Sequence, residues 1–155
     1  MKRTAKLDDS GRYRYTLGRE WAPGPHVLWV MLNPSTADAD QDDPTIRRCI
    51  AFSRAWGYGS LVVVNLFALR STKPIALYHS SDRVGPDNDV HIADAATTAA
   101  LVVCAWGNHG ALQGRAVDVR RLLPRPHYLR LTGKGQPEHP LYLPGSLRPQ
   151  MWLPA

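Results

Sequence analysis

Two hydrophobic rhythms alternate along the chain. Residues 12–17 switch between polar and apolar or aromatic side chains at every step, which predicts a half-exposed strand at a sheet edge. After a turn region at 18–26 carrying Pro23-Gly24-Pro25, residues 27–32 are apolar throughout. Such a run suits a strand buried on both faces. Apolar runs return at 61–66 and 101–105, and residues 127–131 alternate as a fourth core strand.

Helical spacing fills the intervals. Asp43 is placed to cap a helix with Pro44 at its first position. Ile46, Cys49, Ile50 and Ser53 follow at helical spacing, Phe52 and Trp56 widen the apolar side, and Gly57 and Gly59 end the helix. Residues 67–86 are irregular; a segment that long in a compact domain implies a short helix at 75–78 or a functional loop. Asp87 or Asn88 caps an alanine-rich helix running to about residue 100, and residues 111–123 form another helix, stopped by Pro124 and Pro126. The order is strand, strand, helix, strand, helix, strand, helix, strand. It predicts a single three-layer α/β domain over residues 1–155, core about 12–144, with a mainly parallel central sheet and helices on both faces.

Composition narrows the class. An apolar fraction of 44% in 155 residues is enough for one real core. No apolar run approaches the roughly 20 residues needed to span a bilayer. The basic start of the chain is followed by no hydrophobic stretch of signal-peptide type. Cys49 and Cys104 lack metal-type spacing and read as buried, reduced thiols, so a cytoplasmic location is expected. The net charge of +6 permits a phosphate-bearing partner without requiring one, because the arginines are spread along the chain.

In open α/β sheets, ligands bind outside the carboxyl ends of the strands. Here those ends carry Asn33-Pro34-Ser35-Thr36, then Asn65, then Trp106-Gly107. Asn33 and Asn65 each offer donors and an acceptor, and turn chemistry alone also accounts for Asn33-Pro34-Ser35-Thr36. Arg70, a few residues beyond the second core strand, is a candidate for phosphate or carboxylate contact. His139, in a Pro/Gly-rich approach, is a candidate hydrogen-bond donor or proton-transfer group; the other five histidines lack a comparable setting. The aspartates between 38 and 43 lack the glycine and terminal glutamate of a calcium loop. No zinc spacing, G-x-G-x-x-G, Walker lysine or G-x-S-x-G occurs. Neither a metal nor a cofactor is expected.

Several spaced motifs together resemble one family, the bacterial and phage domain of unknown function 1643. They are Leu32-Asn33-Pro34-Ser35-Thr36-Ala37, Asp43-Pro44-Thr45-Ile46-Arg47-Arg48, Val64-Asn65-Leu66-Phe67-Ala68-Leu69-Arg70, Gly85-Pro86-Asp87-Asn88-Asp89, Ala105-Trp106-Gly107 and His139-Pro140-Leu141-Tyr142. A more distant likeness is to uracil-DNA glycosylases. Met31-Leu32-Asn33-Pro34-Ser35 is similar to their first motif, although Met31 and Ser35 stand where that motif has glycines. His139-Pro140-Leu141 is similar to the second, with Leu141 in place of a serine. This likeness implies a glycosylase-like fold and N-glycosidic hydrolysis. It implies Asn33 and His139 as catalytic residues and Asn65 as the base reader. Phe67 or Trp106 would be the stacking aromatic. Pro34, Ser35, Thr36, Thr45, Arg70, Asn88 and Gly107 would complete the substrate site. DNA, a nucleoside or a nucleotide would be the partner. Two alternatives stay open: a non-catalytic nucleotide or nucleic-acid binding module, and an unrelated small-molecule enzyme on a Rossmann-like sheet.

Overall fold

A computed structural model describes residues 1–154. Strands β1 (Lys2–Leu7), β2 (Arg14–Glu20), β3 (His26–Met31), β4 (Ser60–Asn65), β5 (Leu101–Cys104), β6 (Pro126–Tyr128) and β7 (Gln150–Met151) form one sheet in the order β1-β2-β4-β3-β5-β6-β7. The helices are α1 (Pro44–Ala55), α2 (Ile75–Tyr78), α3 (Asn88–Thr97) and α4 (Arg115–Arg120). The protein is therefore a mixed α/β protein. None of the described helices is long and apolar enough to cross a membrane.

The sheet is mixed rather than mainly parallel. β4, β3, β5 and β6 run parallel to one another, while β1, β2 and β7 add antiparallel pairings at the two edges. Strand β2 was expected at an edge, but β1 takes that place, and Tyr13, Arg14, Tyr15, Leu17 and Arg19 are buried. The alternating pattern of residues 12–17 misleads because Arg14 is itself buried, and the strand runs on to Glu20 through the stretch expected to be a turn, where Arg19 is buried too.

Strand β3 is buried along Val27–Met31, as its unbroken apolar run requires. Val27, Trp29 and Met31 face one core with Ile46, Cys49 and Phe52 of α1. Leu28 and Val30 face the other core with Ile92 of α3 and Val119 of α4. Helix α1 starts where the chain chemistry says it should: Asp43 Oδ1 accepts the Ile46 N–H at 2.9 Å, and Pro44 needs no donor in the first turn. Ser53 fastens its inner face, donating to the Cys49 carbonyl at 2.8 Å and accepting from Trp29 Nε1 at 3.0 Å. Both cysteines are free and buried.

Two elements depart from the pattern. The helix expected over 111–123 is a 3-10 turn at Asn108–Gly114 followed by the short α4. Gln113 and Gly114 adopt positive φ and break the axis, and Gly110 lies against the Trp106 ring where any β-carbon would collide. The fourth core strand stops at Tyr128 because the chain then turns into a hairpin bridged at Leu131 and Pro137.

Among the parallel strands the order by sequence is second, first, third, fourth. The chain leaves β3 toward β4 on one side and later returns to β5 on the other, so β3 and β5 flank a topological switch point. A crevice outside their carboxyl ends is the expected consequence.

Candidate functional site

A crevice of about 520 Å³ occupies that position, on the α1 side of the sheet. Asn33, Ser35, Thr45, Asn65, Trp106, Gly107 and His139 line it. Pro34, Thr36, Phe67, Arg70 and Asn88 do not.

Asn65 ends β4 opposite Met31. Strand alternation puts its side chain on the face of Val63, toward α1. It is 1% exposed, yet neither its Nδ2 nor its Oδ1 has a hydrogen-bond partner. Buried amides ordinarily find partners, and leaving one unpaired costs roughly 1–3 kcal/mol. Arg14 lines the same crevice and shares this condition. It is 2% exposed, its Nη1 donates to the Ala37 carbonyl at 2.8 Å, and its Nε donates to nothing. Burial lowers its pKa to about 10, Asp43 acts against that and Arg70 with it, and the group stays cationic near neutrality.

Asp43 adds a carboxylate to the lining. Its Oδ1 holds the helix cap, and no described donor takes its Oδ2. The Nδ2 of Asn33 donates to the carbonyls of Pro34 at 3.2 Å and Ser71 at 3.0 Å. These bonds join the ends of β3 and β4 and leave the Asn33 Oδ1 as its acceptor.

His139 is delivered by the hairpin after β6. Gly107 N–H donates to the Pro137 carbonyl at 2.7 Å, and Trp106 Nε1 donates to Gln136 Oε1 at 2.7 Å, fixing that hairpin to the end of β5. Arg48 of α1 donates to the carbonyls of Pro140 and Leu143, holding the following turn over the helix. His139 Nδ1 accepts the Leu141 N–H at 3.2 Å, so the neutral ring carries its proton on Nε2. Desolvation lowers its pKa, with Asp43 acting in the opposite direction. At neutral pH the ring is a neutral donor at the crevice mouth.

The residues outside the crevice have structural work. Phe67 is buried in the core on the α3 side. Arg70 Nη1 reaches the Gly11 carbonyl at 3.4 Å. Asn88 does not cap α3; its Nδ2 donates to the Asn65 and Leu66 carbonyls at 2.9 and 3.1 Å. Trp106 reaches the lining, but its ring packs against Trp152 with centroids 5.6 Å apart, and it offers no open stacking face. The acidic stretch is likewise accounted for. Asp38 Oδ1 accepts the Asp40 and Gln41 N–H groups, which lowers its pKa, and Asp42 pairs with Arg19 at 2.7 Å. Among the described residues no His, Cys, Asp and Glu group is arranged to hold a metal ion.

Among the polar and aromatic lining residues, Arg14, Ser71, Thr72, His109 and Tyr142 escape sequence reasoning, whereas Asp43 belongs to the acidic stretch that could supply a general base. Tyr142 is 90% exposed at the rim, an aromatic face with nothing packed on it. His109 sits on the opposite rim with Tyr78, whose hydroxyl lies 3.0 Å from its Nδ1. Tyr142 had a signal, since it closes the His139-Pro140-Leu141-Tyr142 motif. Arg14 had none, because burial of one arginine in an alternating strand leaves no mark on the sequence.

The fold and crevice define an α/β protein with an open crevice at a sheet switch point. The chain belongs to the family described as protein of unknown function DUF1643, whose profile matches residues 14–141. No curated protein and no solved structure matches it. The likeness to uracil-DNA glycosylases thus rests on the sequence motifs alone.

Proposed function

We propose that the protein recognises a nucleobase in this crevice and hydrolyses its N-glycosidic bond, with DNA or a nucleoside or nucleotide as substrate. The observation that carries the reading is Asn65, a buried carboxamide at a strand end with both polar atoms unpartnered beside a cavity. A carboxamide pairs with the N–H and C=O of a base edge, and such a pair repairs the unmet bonding of both. Tyr142 supplies a stacking face at the rim.

The chemistry then divides among the remaining groups. Water held by the Asn33 Oδ1 attacks C1′ of the sugar, and its proton goes to the Asp43 carboxylate. The C1′–N bond breaks and its electron pair leaves with the base. His139 Nε2–H donates a hydrogen bond to the anionic base, which then takes up a proton. Thr45, in the first turn of α1, lies where a helix N-terminus favours phosphate.

A second reading, a binding module without catalysis, draws on Met31. It lines the crevice where the related motif has a glycine that lets backbone approach substrate.

The test is incubation with uracil-containing single-stranded and duplex DNA and with free nucleosides. Hydrolysis is expected, falling by roughly 10²–10⁴-fold in Asn33→Ala and His139→Ala. Salt-dependent binding with every substrate intact would replace the enzyme by the module. Cleavage indifferent to both variants would remove the assigned roles.

A further inference from the structure

Arg14 carries a charge that no carboxylate among the described residues pairs directly, although Asp43 in the same lining acts on it from beyond ion-pair distance. Arginine offers five N–H donors, and here only Nη1 meets an acceptor, the Ala37 carbonyl. No carboxylate lies within ion-pair distance of it, although the side chain is almost fully buried. Buried charges are ordinarily paired, because removal from water is costly. Five residues further along the same strand the ordinary arrangement holds: Arg19 pairs with Asp42 and donates to four carbonyls. Arg14 lines the crevice together with the unpartnered Asn65. Two buried side chains, one a cation and one an amide, therefore lack partners beside the same space.

We propose that Arg14 is the anion-recognising residue of the crevice, and that the occupant is an anionic planar heterocycle, its amide edge on Asn65 and its negative atom on the Arg14 guanidinium. The amide-edge half rests on the nucleobase reading above; the anion half rests on Arg14 alone. Two sources supply such an anion. One is a carboxylate carried on the ring. The other is the ring itself, once the C1′–N bond has broken and left its electron pair on the base. In the second case Arg14 stabilises the departing base from within the protein while His139 does so from the mouth.

Calorimetric titration at pH 8 separates these cases with four probes. Uracil has the amide edge and stays largely neutral. Orotate has the same edge plus a carboxylate. 5-Nitrouracil is ionised on the ring without a carboxylate. Benzoate is a planar anion without the edge. Orotate, 5-nitrouracil or both are expected to bind about ten-fold or more tightly than uracil. The stronger of the two identifies the source of the charge. Arg14→Gln is expected to bring the anions within about two-fold of uracil, and Arg14→Lys to retain part of the preference, as a point charge without the fork. Melting of each variant without ligand checks its fold; if Arg14→Gln does not fold, Arg14→Lys and the wild-type probe series still decide. Uracil bound as tightly as both anions would overturn the role of Arg14 and leave the nucleobase reading standing. Benzoate bound as well as orotate, in an Arg14-dependent way, would keep the anion site and remove the nucleobase reading. Failure of all four probes to bind would overturn both.

Discussion

Two pairs of buried polar side chains invite comparison. Asn88 and Asn65 flank the end of β4 from opposite faces, and both are essentially inaccessible to solvent. Asn88 gives its amide hydrogens to the backbone carbonyls of Asn65 and Leu66 and leaves only its Oδ1 unmatched. Asn65 matches nothing. On β2, Arg19 ties the acidic loop through Asp42 and the Asp38 and Gln41 carbonyls, whereas Arg14 makes a single bond to the same loop. Within each pair the chemistry and burial are alike and the bonding differs. The satisfied member serves the fold. The unsatisfied member faces the crevice. Polar burial alone therefore does not distinguish the pairs; unmatched polar burial beside a cavity is the ground on which Asn65 and Arg14 are proposed as site residues.

The largest effect expected from this contrast is on the arginines. Arg19→Met breaks a buried ion pair and strands its loop carbonyls, and is expected to cost about 3–5 kcal/mol in denaturant unfolding. Arg14→Met removes an unpaired buried charge and is expected to stay within about 1 kcal/mol of wild type, or to gain stability. Equal losses in the two variants would show that Arg14 is as structural as Arg19.

The asparagines give the next contrast. Asn88→Leu removes the side-chain donor to the Asn65 carbonyl and leaves the Leu66 carbonyl with Arg115 Nε alone, and is expected to cost about 1–3 kcal/mol. Asn65→Leu replaces an unmatched amide by a hydrocarbon of similar size. Its stability is expected to be unchanged or raised, with nucleobase binding lost. A destabilised Asn65→Leu would place that side chain among the structural set.

The smallest effect concerns pH. Desolvation lowers the pKa of the half-buried His26 below the ordinary 6.5, and acts in the same direction on His139, which stays open to solvent on one side. The unfolded chain then binds more protons than the folded one in that range. Stability is full above pH 6.5 and is expected to decline as pH falls below about 6.5. His139→Gln should flatten that slope, as should His26→Gln, measured as Tm against pH. Stability that rises on acidification over this interval would contradict the placement of both rings.

Much of the scaffold was legible because one physical rule dominated each segment. The run from Val27 to Leu32 had to be buried on both faces, and Asp43-Pro44 had to begin a helix. The strand ends then located Asn33, Asn65 and Gly107 at one crevice. Legibility failed where tertiary context decided. The polar Lys2–Leu7 strand became the sheet edge because β2 offered a free backbone, not because its side chains favoured it. Arg14 helped make residues 12–17 look half-exposed, and Arg19 fell in the stretch read as a turn although β2 runs on to Glu20. Phe67 and Trp106 looked like stacking residues because sequence shows an aromatic ring but not what already covers it, whereas Tyr142 is open because its turn projects it past the rim. Asn88 resembled a site residue for the reason Asn65 does, and only their bonding separates them.

The central claim is that Asn65 waits for a base edge. The most direct measurement is the side-chain amide signal of Asn65 in a ¹⁵N-labelled sample titrated with the free nucleobases. Saturable shifts of its two Nδ2 hydrogens by one base, with slowed exchange at saturation, are the predicted result. An Asn65 amide unmoved at saturating concentrations of every base, with shifts elsewhere or none, would contradict the account.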